Sequence, residues 1–203
     1  MRKVHIAGFA LVAALVFSAM ASASAFAAQP EWLVNGSALS GTLSVKSSGK
    51  VVLTDLNAKV KLECEGTDKG TVSGTKSSEE TTVTATNCKT LEGTCPSPSA
   101  KAHALPWKLE LEEKVAGKVT SNFLTENGYE VVCAGIVHDT CVAKAGVPVL
   151  RLVAEGVTPV EFSFPATENE NNAECSLSLK LVGDVSGTVK IEAEEAGKSL
   201  TVS

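Results

Sequence analysis

The chain has 203 residues, with 18 basic and 23 acidic side chains and a formal net charge of −5. An acidic surface repels phosphate backbones, and no Lys/Arg cluster appears beyond residue 27, so nucleic-acid binding is disfavoured. Aromatic residues make up only 4% of the chain, which a core of this size can use up and which leaves no surplus for an exposed sugar-binding platform.

At the N-terminus, Arg2 and Lys3 precede an uncharged apolar run from Ala7 to Met20, and Ala25-Phe26-Ala27 forms an A-x-A cleavage site. The run is short of the ~20 residues that span a bilayer. Residues 1–27 are therefore read as a signal peptide cleaved near Ala27. No cysteine precedes Cys64, so no lipobox is present, and the last residues, Gly197 to Ser203, carry neither an apolar tail nor a sorting motif. The mature chain is expected to be secreted and soluble, with no membrane insertion after processing. Loss of Arg2 and Lys3 leaves 16 basic against 23 acidic side chains, a balance of −7.

Residues 28–203 read as one β-sandwich-like domain. Pro30 to Val34 begins a strand, and Asn35-Gly36 is a strong turn signal. Ser40–Val45 and Val51–Leu56 follow, separated by a polar turn at Ser47-Ser48-Gly49-Lys50. Then come Lys59–Cys64, Gly70–Val72, a turn around Lys76 to Glu80, and Thr81–Cys88. After Leu105-Pro106, the residues Trp107, Leu109 and Leu111 alternate with Lys108, Glu110 and Glu112. Val119–Phe123 and Tyr129–Val137 flank Glu126-Asn127-Gly128, which reads as a hairpin turn. Val147–Val153, Val160–Phe164, Cys175–Leu181, Gly187–Ala193 and Ser199–Val202 complete the set. A dozen or more short strands at regular spacing, without helical periodicity, predict an all-β fold: an antiparallel sandwich or barrel. Gly-Thr-Leu/Val recurs at Gly41, Gly70 and Gly187; a duplicated sheet with a boundary near residues 117–128 would account for it, as would hairpins of similar composition. The polar stretch Ala166–Ala173 reads as a loop.

Six cysteines, all in the exported part, fit an oxidising compartment and full pairing, with fifteen possible connectivities. Side-chain alternation narrows them. Cys64 lies in phase with Val60 and Leu62, and Cys175 with Leu177, Leu179 and Leu181, so both point inward. Cys88 is in phase with Thr82, Thr84 and Thr86, on a polar face, which suggests a local partner. Cys133 and Cys141 flank Ile136 to Asp139, which reads as a tight hairpin or loop. The expected bridges are Cys64–Cys175, Cys88–Cys95 and Cys133–Cys141.

Trp32-Leu33-Val34-Asn35-Gly36, Glu63-Cys64-Glu65-Gly66, Thr86-Asn87-Cys88, Leu105-Pro106-Trp107 and the late Cys175 resemble a group of secreted, cysteine-containing, β-rich proteins of soil actinobacteria. That resemblance covers most of the mature chain. It implies export and cysteine pairing, and brings with it no activity and no catalytic residue.

Patterns that carry chemistry are sparse. Only His103 and His138 survive processing, and Asp139, next to His138, would face the other side of a strand, so no His–Asp relay forms. Ser47-x-x-Lys50 and Ser73-x-x-Lys76 match S-x-x-K but fall on predicted turns. Cys133, His138 and Cys141, with His103, lack the C-x-x-C spacing of structural zinc. The acids and amides of residues 168–172 lack the order of a calcium loop. No cofactor is expected. The favoured function is contact, as a non-enzymatic extracellular or envelope protein meeting an unidentified extracellular or envelope component. Its binding loops would be those bordered by cysteines: Lys89, Glu92, Thr94, Pro96 and Pro98 on one side, His138 and Asp139 on the other. The alternative is a secreted hydrolase with a hidden carboxylate pair, which predicts two acids facing each other in a concave cleft.

Overall fold

The computed structural model describes residues 29–115, 118–134, 137–145, 151–165, 172–177 and 180–203. The expected signal peptide, the start of the Val147–Val153 strand and most of the Ala166–Ala173 loop lie outside them. Among the described residues every regular element is a strand: β1 (Trp32–Val34), β2 (Ser37–Ala38), β3 (Thr42–Asp55), β4 (Val60–Ser73), β5 (Ser77–Glu92), β6 (Ser99–His103), β7 (Trp107–Val115), β8 (Lys118–Phe123), β9 (Asn127–Cys133), β10 (Val137–Ala143), β11 (Arg151–Val153), β12 (Val160–Phe164), β13 (Ala173–Cys175), β14 (Lys180–Ala193) and β15 (Leu200–Val202). The all-β expectation holds, but β3, β4, β5 and β14 are long rather than short, at 14 to 16 residues.

These four form a shared antiparallel wall, ordered β5-β4-β3-β14, and each of its edges pairs twice. Near one end, β5 meets β7 through Ser77 to Glu80, and β14 meets β12 through Gly187 to Ile191. The chain β7-β8-β11-β12 thereby closes an eight-stranded barrel. Farther along, β5 touches β6 at Thr84, and β14 pairs with β13 through Lys180 to Gly183. There β6-β9-β10-β13 closes a second eight-stranded barrel. Two barrels thus follow one another along one wall, and no single chain position separates them. Closure leaves few free strand edges to pair with other chains.

Alternation decides which side chains enter. On β3, Leu43, Val45, Val51, Leu53 and Asp55 are buried, while Thr42, Ser44, Lys46, Ser48 and Lys50 are exposed. The first barrel holds the larger apolar core, of which Val72, Leu111, Val119, Val160 and Phe162 are members. A small sheet of β15-β1-β2 covers it, burying Trp32, Leu200 and Val202 against that core. Trp32 is fully buried, its ring tilted 6.1 Å from Phe162, and its Nε1 donates to the Lys76 carbonyl at 3.2 Å. Asn35-Gly36, both at positive φ, make the expected tight turn between β1 and β2.

Several sequence expectations fail for one reason: the partner strand, not the local sequence, sets pairing. Ser47 to Lys50 is not a turn but the middle of β3, paired without a break to β4 and β14. A Cβ on Gly49 would lie 2.2 Å from the Thr188 carbonyl oxygen of β14, so only glycine permits that approach. The turn expected at Lys76 to Glu80 falls at residues 74–76, and Glu80 is already inside β5. Asn127-Gly128 does not join β8 to β9 as a hairpin; those strands belong to different barrels and do not pair.

The disulfides are Cys64–Cys88, Cys95–Cys133 and Cys141–Cys175, so all three expected pairings are wrong while the full pairing is right. Opposite Cys64 the register of β5 slips between Lys89 and Thr86, and Asn87 takes a positive φ of 49°. This β-bulge inserts one residue and reverses the alternation, turning Cys88 from the face of Thr82, Thr84 and Thr86 onto the face of Cys64. Cys175 lies directly opposite Cys141 on the neighbouring strand, and Cys95 ties the β5–β6 loop to the end of β9. Every bridge lies in the second barrel.

Candidate functional site

The second barrel has fewer large apolar side chains than the first and encloses a cavity of about 500 Å³. Its walls come from inward positions of the shared wall, such as Val51, Leu53 and Leu62, and from Val131 and Ala143 of the closing strands. Its floor is aromatic. Trp107 meets Phe123 edge-on at 5.7 Å and Tyr129 at 5.5 Å, and its Nε1 donates to the His103 carbonyl at 2.7 Å. Aromatic pairs in this geometry attract through ring quadrupoles in addition to burying area.

Beside that floor is a charged cluster. Arg151, in phase with Val153 on β11, is 3% exposed. Its Nη1 donates to Glu80 Oε1 at 2.9 Å and its Nη2 to Ser121 Oγ at 3.0 Å. The guanidinium lies 4.3 Å from the Phe162 ring centre and 5.1 Å from that of Phe123. Burial lowers its pKa and the Glu80 carboxylate opposes the shift, so it stays a cation. Asp68 of β4 accepts from Ser47 Oγ at 2.6 Å. Burial, reinforced by the charge of Glu80, raises its pKa to about 7, against the pull of Ser47 and Arg151. Burial also pushes the Tyr129 phenol well up.

A second acidic group lines the same cavity. Asp55 ends β3, and its Oδ1 accepts from the backbone N–H groups of Asn57 and Ala58 at 2.7 and 2.8 Å, fixing the turn into β4. Its Oδ2 is buried without a hydrogen-bond donor. Asp139 of β10 accepts at Oδ1 from Ser176 Oγ and Leu177 N–H, both at 3.0 Å. Burial raises its pKa and the facing Asp55 carboxyl raises it further, while the Leu177 and Ser176 donors oppose the shift. The donor atoms of Asp55, Asp139, Cys141 and Cys175 lie within 4.8 Å of one another. Since the two sulfurs are bonded to each other, no thiolate is available to a metal, and the ligand set reduces to two carboxylates.

Of the residues singled out in the sequence, Thr94, Pro96 and Asp139 border this cavity. Lys89 and Glu92 instead pair on the surface with Glu63 at 2.8 Å and Lys61 at 3.8 Å, and Pro98 is half-buried away from the opening. His138 is exposed and bonded to Glu130 at 2.9 Å, and His103 pairs with Glu126 at 3.6 Å, so neither histidine lines the cavity. Ser47, expected on a solvated turn, points into the barrel. Sequence reasoning missed Asp55, Asp68, Glu80 and Arg151. A signal existed for three of them: Asp55 is in phase with Val51 and Leu53, Asp68 with Leu62 and Cys64, and Arg151 with Val153. A charge on an apolar stripe must be paired or put to use.

Comparison with protein-family models, curated proteins and solved structures finds nothing that matches the chain.

Proposed function

We propose that the mature protein is an exported, non-enzymatic binding protein that takes a small, largely apolar molecule into the second barrel. The observation that carries this is the cavity: about 500 Å³, lined largely by aliphatic side chains and aromatic rings, with its charged groups gathered around Arg151 and around Asp55 and Asp139. Such sites are the usual form of small-molecule pockets. The cysteine-bordered loops serve as its rim. Thr94 and Pro96 adjoin Cys95, and Ala134 adjoins Cys133, so one disulfide joins two parts of the opening. A bridged rim loses little entropy when a ligand enters. Three bridges in this barrel also fit an oxidising, extracellular destination.

The test is a titration with the neutral fluorescent probe N-phenyl-1-naphthylamine. Saturable binding with a Kd of roughly 1–100 μM is expected for an apolar molecule of that size. Replacing the buried Ala143 with Phe, or Val131 with Phe, fills the cavity and should weaken binding by more than about tenfold. Absence of saturable binding to the wild type, or binding unaffected by both fillings, refutes the proposal.

One observation favours hydrolysis instead: Asp55 and Asp139 face each other in a concave site, with Asp139 raised. It ranks second because one oxygen of each acid is already committed to backbone or hydroxyl donors that shape the opening. Turnover of chromogenic glycosides or esters that is lost in Asp139→Asn would reverse the ranking.

A further inference from the structure

Charge within the cavity separates its possible ligands by class. Among the described residues that line it, the formally charged ones are Asp55, Asp68, Glu80, Asp139, Asp184 and Arg151, five acids against one base. The charge of the single base is already balanced, because Glu80 pairs with its Nη1 at 2.9 Å and Ser121 holds its Nη2, although its Nε is buried without a hydrogen-bond partner. A carboxylate or phosphate entering here would meet no uncompensated cation. At Asp55 and Asp139 the imbalance is sharper. Asp55 and Asp139 are 6% and 8% exposed, and no lysine or arginine lines that part of the cavity. Asp55 Oδ2 is buried with no donor of its own, facing Asp139 across the gap. Two buried carboxyls so placed require a proton or a cation between them.

We infer that the ligand is a cationic amphiphile, an amine whose positive head sits between Asp55 and Asp139 while its apolar body extends over Trp107, Phe123 and Tyr129. The inference rests on the cavity being a binding site, and goes beyond it by fixing the sign of the head group. A divalent metal fits less well. Calcium takes six to eight oxygens, whereas here one oxygen of each acid already accepts two hydrogen bonds and the space behind is apolar. An ammonium needs only two or three acceptors and brings its own apolar surface.

Three ligands of one chain length decide the matter: dodecylamine, dodecanol and laurate, each used below its critical micelle concentration to displace N-phenyl-1-naphthylamine from the mature protein. The amine is expected to compete at about tenfold lower concentration than the alcohol and at lower still than laurate, as a buried charge pair commonly provides. In Asp55→Asn and Asp139→Asn, alone and combined, the amide oxygen still accepts the bonds that shape the opening, and the amine's advantage over the alcohol should shrink to within about threefold. Laurate competing as well as the amine, or an advantage unchanged in the single variants, overturns the inference. So does stoichiometric displacement of the amine by micromolar calcium, which would assign the acids to a metal. If the neutral probe itself fails to bind, the cavity reading falls, an outcome distinct from loss of the charge preference.

Discussion

Replacing Arg151 with Met should be the most damaging single change of charge in this protein, and more damaging at pH 8 than at pH 5. The side chain is 3% exposed, holds two hydrogen bonds, and faces Glu80, whose side chain is 15% exposed. Removing one partner of such a pair leaves the other buried and uncompensated, at a cost of about 3–5 kcal/mol. Methionine refills much of the space against Phe162 and Phe123, so the lost packing is minor. For a domain of this size that corresponds to a fall in Tm of roughly 10 °C. The pH dependence follows from Asp68. Its pKa is raised in the folded protein to about 7, above its ordinary value of 3.8. Folding therefore favours the protonated acid: its contribution is fully present below about pH 4 and is lost as pH rises through about 7. At pH 8 the variant must either hold Glu80 and Asp68 ionised without the cation or keep a proton on Asp68 against the solvent, whereas at pH 5 Asp68 carries its proton in any case and the penalty should be smaller by about 1–2 kcal/mol. Urea unfolding of wild type, Arg151→Met and Arg151→Lys at both pH values measures this, with the lysine variant intermediate. A loss below about 1 kcal/mol at pH 8, or an equal loss at both pH values, would refute the account of the cluster.

Three further outcomes are expected. A non-reducing peptide map should recover Cys64 with Cys88, Cys95 with Cys133 and Cys141 with Cys175, and the double change Cys141→Ala/Cys175→Ala should cost about 4 kcal/mol, because that bridge spans a sequence separation of 34. Gly49→Ala should lower stability by more than about 2 kcal/mol in denaturant unfolding, since its Cβ would stand 2.2 Å from a backbone oxygen that cannot yield. Trp32→Ala should cost about 3–5 kcal/mol, detected as a lower Tm, by opening the sheet that covers the first barrel.

Much of the fold was legible because alternation is a local property. The inward and outward faces of β3 and β7, the turn at Asn35-Gly36 and the inward orientation of Cys64 all follow from a two-residue period and a few residues of context; Cys175 is buried too, but not through the expected stripe, since β13 ends there and Leu177 lies in the following turn, 56% exposed. The site was partly legible too, since Thr94 and Pro96 lie beside Cys95 in a tied loop; Asp139 also lines the cavity, but from within β10 rather than from the loop expected between Cys133 and Cys141. The bulge at Asn87 was not, because an inserted residue is defined by what the facing strand fails to pair with. One such residue misdirected Cys88, and with it the bridge pattern.

Composition and alternation by themselves made this chain a β protein with an apolar interior and paired thiols. Only the tertiary structure decided that the interior divides into a filled barrel and a hollow one, and that Asp55 meets Asp139 while Arg151 meets Glu80. Strand closure joins residues more than seventy positions apart, and an interaction at that separation leaves no trace in either local stretch.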